Sequence, residues 1–163
     1  MFTKLFGKPK MAHPTLGEIS FRRGQWNGGQ FKIFGSESVR VRVPGNDGGP
    51  SSAAVSAIEA LSDASAHIMR ECAQKLYDEH YINGKYSSDA EGFDDREGYP
   101  NITSADQIWD YANTVSVIAD PYSTGAVTQI QIGIVAAWDE DHDLGVILED
   151  GKITDFNGSI PPF

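Results

Sequence analysis

Val39, Val41 and Val43 alternate with Arg40 and Arg42, and Ile130, Ile132 and Ile134 alternate with Gln131 and Gly133. A period of two places apolar side chains on one face of a strand and polar ones on the other. It therefore predicts an antiparallel sheet with one buried and one wet side. Three strands are expected before residue 44: "GEISFRR", then "FKIF" after a turn at "WNGG", then "SVRVRV". Turn formers fill "PGNDGGP", residues 44–50. Four more strands follow later, in "TVSVIAD", "VTQIQIGIVAAW", "DLGVILED" and "GKITDF". Asp150-Gly151, between the last two, predicts a two-residue type I′ hairpin turn.

Between the two sets of strands the period changes. Val55, Ile58, Leu61, Ile68, Cys72 and Leu76 recur at the spacing of one helical face, with Ser51 or Ser52 as N-cap and a stop near Asn83-Gly84. Residues 85–103 read as a long acidic surface loop. A second, short helix is expected at "IWDYAN", with Ser104 as N-cap and Gln107 completing a capping box. The order β-β-β-α-α-β-β-β-β, with strands in runs, predicts one α+β domain over residues 1–163. One long and one short helix would pack on a mainly antiparallel sheet. Residues 1–14 are expected as a flexible N-terminal arm.

Charge is uneven along the 163 residues. Residues 1–44 carry eight basic and two acidic side chains, and residues 45–163 carry five basic and 21 acidic ones. The net charge of −10 opposes nucleic-acid binding and favours a cationic protein partner. Cys72 is the single cysteine, so no internal disulfide is possible and a reducing compartment is expected. Its place on the apolar stripe predicts a buried structural thiol. No signal-peptide core and no apolar run long enough for a membrane span is seen, so the expected location is the cytoplasm.

The densest cluster of polar chemistry is Asp139, Glu140, Asp141, His142 and Asp143, expected as a solvated corner between the strands ending at Trp138 and beginning at Leu144. Asp139, Asp141 and Asp143 match positions 1, 3 and 5 of a calcium loop, but Leu144 stands at the glycine position and Asp150 at the glutamate position. Zinc would need a second histidine or cysteine at ligand spacing to His142. His67 and His80 read as ordinary surface or cap histidines. The chain has no G-x-S-x-G elbow, phosphate-binding loop, Cys–His constellation or H-E-x-x-H. The expectation is a non-enzymatic chain without a cofactor. The alternative is a calcium-type module or metal-dependent enzyme using the Asp139–Asp143 corner.

"HPTLGEISFRRGQWNGGQFKIFG" near the start and "AAWDEDHDLGVILEDGKITDF" near the end resemble a bacterial domain-of-unknown-function family. Its members pair an "HP.LG…W.G" opening with a "WDEEHGLGV…DGKI" closing hairpin. Asp143 departs from that pattern, in which glycine stands at this position. Such small acidic domains are similar to the immunity proteins of polymorphic toxins. The resemblance implies an immunity-type inhibitor that binds a basic toxin domain, and no catalytic residues carry over. The expected partner-binding surface comprises Asp89, Glu91, Phe93, Asp94, Asp95 and Glu97 together with Asp139, Glu140, Asp141, His142 and Asp143. Trp109, Tyr111 and Tyr99 are further aromatic anchor candidates.

Overall fold

The computed structural model describes residues 8–83, 100–120 and 129–157, with the backbone alone at 63, 65, 140–142 and 157. The strands before the helix are β1 (Lys10–His13), β2 (Gly17–Arg22), β3 (Gln25–Ile33), β4 (Ser36–Asn46) and the two-residue β5 (Gly49–Pro50). Helix α1 (Ser52–Lys75) runs on into a π-helical segment, Leu76–Tyr81. A 3-10 turn (Ala105–Gln107) and the one-turn α2 (Ile108–Tyr111) lead into β6 (Ala112–Ala119), β7 (Gln129–Ala136), β8 (Asp139–Glu149) and β9 (Lys152–Asn157). The fold is α+β, with nine strands in one sheet among the described residues.

The strand order is β1-β2-β3-β4-β6-β7-β8-β9, with β5 paired to β4. Each neighbouring pair is antiparallel except β4 and β6, which run parallel where α1 carries the chain across. A parallel pair needs such a crossover, because a tight turn can only reverse the chain. Two strand expectations change. Lys10–His13, inside the stretch expected as an arm, forms β1 and pairs with β2. "WNGG" is not a turn but the middle of β3; the chain reverses earlier, at Arg23-Gly24, where both residues have positive φ. Gly28 is needed inside the strand. A Cβ there would lie 2.4 Å from Ile19 Cγ2 and 2.6 Å from the Glu18 carbonyl oxygen. Asp150 and Gly151, with φ of 49° and 72°, form the expected type I′ turn.

The apolar faces meet as the alternation predicts. Ile130, Ile132 and Ile134 pair with Leu148, Val146 and Leu144, and all six are buried with Val39, Val41 and Val43 in the main core. α1 lays Val55, Ile58, Leu61, Ile68, Cys72 and Leu76 into the same core, and the Ser51 side chain accepts from the Ala54 N–H at its start. The expected wet side does not extend across the whole sheet. Ser116, Ile118, Gln131 and Ile147, on the opposite face of β6–β8, are buried too. Gln131 and Ser116 satisfy an alternating pattern by polarity, but their position in the middle of the sheet removes them from water.

Pro100 and Ile102 are buried, which corrects the C-terminal part of the surface loop expected over residues 85–103; residues 84–99 lie outside the described residues. The capping box also shifts by one residue. Gln107 Oε1 accepts from the backbone N–H and hydroxyl of Thr103, and the Ser104 side chain makes no capping bond. No helix among the described residues is long and apolar enough to cross a membrane.

Candidate functional site at the π-helical end of the long helix

The acidic stretch at 139–143 is not a loop corner. Ala137 and Trp138 make the turn, and Asp139 already pairs with Ala136 as the first residue of β8. The ladder resumes at Leu144 opposite Ile134, so residues 140–143 of β8 stand opposite the single residue Val135 of β7. A bulge of this size pushes the acidic backbone out of register while both flanks stay in the sheet. A twelve-residue calcium loop between helices would need a different backbone. Among the described residues, no group of three or more His, Cys, Asp or Glu is placed to hold a metal ion. Asp143 is exposed. Asp139 is largely covered, for a reason that lies 59 residues upstream, at His80.

α1 loosens into π geometry at Leu76–Tyr81, and the Ile82 N–H reaches back five residues to the Tyr77 carbonyl. The segment presents His80 and Tyr81 as consecutive residues toward two different chain segments. Trp138 Nε1–H donates to His80 Nδ1 at 2.9 Å, and His80 Nε2 lies 3.4 Å from Asp139 Oδ2. An indole nitrogen can only donate, so Nδ1 must be the bare nitrogen and Nε2 carries the proton toward Asp139. Both ring nitrogens are thereby engaged, one by Trp138 and one by Asp139. The expectation of an ordinary surface or cap histidine is corrected here: His80 is a cross-link between the helix and β8.

Tyr81 performs the matching task on the other side. Its hydroxyl donates to the Pro100 carbonyl at 2.8 Å and accepts from the Ile102 N–H at 2.9 Å. The ring is fully buried, stacks on Tyr77 and meets Trp138 edge-on at 5.6 Å. The turn is also tied from α2, because the Ala137 N–H donates to the Tyr111 carbonyl at 2.8 Å. Helix end, residues 100–102 and the start of β8 thus converge on one aromatic node. The flanks of both acidic stretches, residues 83 and 100 on one side and Asp139 on the other, are therefore fixed at the same end of the molecule.

Of the expected partner-binding residues, Asp139 is brought to this node, and Asp143 is exposed at the far end of the bulged stretch. For Glu140, Asp141 and His142 the structure gives the backbone only, within β8. Asp89, Glu91, Phe93, Asp94, Asp95 and Glu97, with Tyr99, lie outside the described residues. Trp109 is no surface anchor: its ring packs on Phe34 and its N–H donates to the Met69 carbonyl. Tyr111 keeps 39% of its surface exposed and remains available. His80, Tyr81 and Trp138 form the node without having been singled out as a set. The only sequence signal would have been an aromatic-rich helix end, "LYDEHY", with no apolar reason for its histidine.

Two other features lie apart from this node. Cys72 is fully buried, and burial, aided by Glu71, pushes its thiol up to about 12, so it is an inert core thiol as expected. A groove of about 370 Å³ lies between β1 and β2, lined by Lys10, Met11, Ala12, Glu18, Ile19 and Ser20. It sits at the sheet edge opposite β9, away from the acidic node.

A family model described as a domain of unknown function, DUF6985, matches residues 15–159. No curated protein and no solved structure matches the chain.

Proposed function

From a chain that belongs to the DUF6985 domain family, whose description assigns no activity, we infer a non-enzymatic acidic binding protein, an immunity-type inhibitor that blocks a cognate bacterial toxin by direct binding. One observation carries this reading. Consecutive side chains of one π-helical segment, His80 and Tyr81, anchor the flanks of both acidic stretches at one end of the molecule. Charge scattered over a surface serves solubility, whereas charge gathered at one rigid end can form a docking face. The partner is a protein with a basic surface, and rim carboxylates such as Asp143 speed its approach while Tyr111 and neighbouring apolar surface supply contact area. A reduced, inert Cys72 and a toxin to be met after delivery both fit action in the cytoplasm.

The test is capture of the partner by the tagged chain from its native cells, at low and at high salt. A single stoichiometric basic protein, released by salt and lost with Asp139→Asn combined with Asp143→Asn and Asp94→Asn, is the expected result. Undiminished capture by that triple variant would overturn the electrostatic docking face. A heat signal on titration with calcium, abolished by Asp139→Asn, would instead revive the metal alternative.

A further inference from the structure

Each of the three tryptophans uses its indole N–H, but only one uses it on a group that titrates near neutral pH. Trp26 donates to the Asn46 carbonyl at 2.9 Å and Trp109 to the Met69 carbonyl at 3.2 Å. Trp138 donates to His80 Nδ1. A backbone carbonyl accepts at any pH, whereas an imidazole nitrogen accepts only while it is bare. We propose that His80 is a proton-operated latch on the acidic docking face, closed when neutral and open when protonated.

In the closed state Nδ1 accepts from Trp138 and Nε2–H faces Asp139 Oδ2. Taking up a proton fills Nδ1. Two N–H groups then point at each other, and the indole bond is lost. The same proton strengthens the ion pair between His80 and Asp139, so the imidazolium keeps its hold on the carboxylate and lets go of the indole. The charged groups around it are few among the described side chains. Asp139 faces it from β8, and Lys75 and Glu79 on its own helix are paired with each other at 3.5 Å. Trp138 lies in the turn that starts the bulged acidic stretch, so releasing its N–H removes one of the bonds that tie the turn to the helix end and leaves the Asp139 pair and the Tyr81 ring contact. Opening also cancels the charge of Asp139, which lowers the pull on a basic partner. Binding is therefore tightest at mildly alkaline pH and weakens as pH falls through the range where histidine protonates.

This regulatory step rests on the binding reading above, but the latch itself can be tested without a partner. In the ¹⁵N-labelled chain, the Trp138 indole cross-peak should shift between about pH 8 and pH 5 on a one-proton curve. The Trp26 and Trp109 peaks serve as internal references and should stay still. Long-range ¹⁵N spectra of the unmodified chain should show His80 protonated on Nε2 alone at the upper end and on both nitrogens at the lower. His80→Gln, whose amide can accept from the indole and donate to Asp139 but cannot titrate in this range, should abolish the shift; His67→Gln, at an exposed site on α1, should leave it. A Trp138 peak that does not move, or that moves equally in His80→Gln, overturns the latch. With the basic protein captured at pH 8 as probe, affinity should fall about threefold to tenfold by pH 6, and less in His80→Gln. An unchanged affinity with a titrating indole overturns the regulatory step. Failure to capture any basic protein counts against the binding reading and leaves the latch to the spectra.

Discussion

Strand β8 has two ends that solve the same problem in opposite ways. At its C-terminal end, Asp150 and Gly151 reverse the chain in two residues with positive φ. At its N-terminal end, the Ala137-Trp138 turn is followed by four residues opposite one, and the turn is held by bonds to Tyr111 and His80. The first end is closed by backbone chemistry that two residues carry by themselves. The second depends on side chains from a helix far away in sequence. A region held from a distance can be adjusted from a distance, and the proposed docking face is placed at that end.

The comparison breaks hardest at the node. Tyr81→Ala should remove about 4 kcal/mol of stability, since it deletes a fully buried ring, as measured by urea unfolding. Tyr81→Phe isolates the hydroxyl: it leaves the Pro100 carbonyl and Ile102 N–H without that partner and should cost about 2 kcal/mol. At the other end of β8, Gly151→Val forces a β-branched residue to a φ of 72° and should cost about 1–2 kcal/mol, with partner capture unaffected. A loss of capture in that variant would mean that the two ends are not independent.

Cys72 gives a reference in the core beneath both regions. Its folded-state value of about 12 lies above the ordinary 9.0, so the folded chain holds this proton more tightly. The contribution is complete below about pH 9 and is lost as pH rises toward 12. Unfolding at a series of alkaline pH values should show a shallower decline for Cys72→Ala than for the unmodified chain over that window. The native thiol should also resist alkylation at pH 8 until the chain unfolds. The smallest effect is expected from Asp143→Asn, which should change stability by less than about 0.5 kcal/mol because the side chain is exposed. Its consequence should appear in association rate with the proposed basic partner.

Much of the fold was legible in local pattern. The isoleucines of β7 and their partners in β8 fall on one face, the α1 stripe faces the core, and Asp150-Gly151 turns as its residue types demand. The misreadings have a common cause. "WNGG" carries turn formers, yet Gly28 is there for close packing against Ile19, a reason that exists only once β2 lies beside β3. "DEDHD" carries the polarity of a loop, yet it is strand, because β7 offers it pairing partners at both flanks. The candidate site was half legible: its carboxylates stand out by composition, but the side chains that fix them do not.

The sequence by itself determined what periods of two and 3.6 and a positive φ can encode: α+β class, strand faces, the long helix, one hairpin turn and a buried thiol. These are properties of neighbouring residues, set by backbone sterics and by the direction in which successive side chains point. Only the tertiary structure decided that β4 and β6 run parallel, that the second face of β6–β8 is buried, and that His80 meets Trp138 and Asp139. A hydrogen bond spanning 58 residues has no local signature, because its direction and its donor are fixed only when helix and sheet have packed.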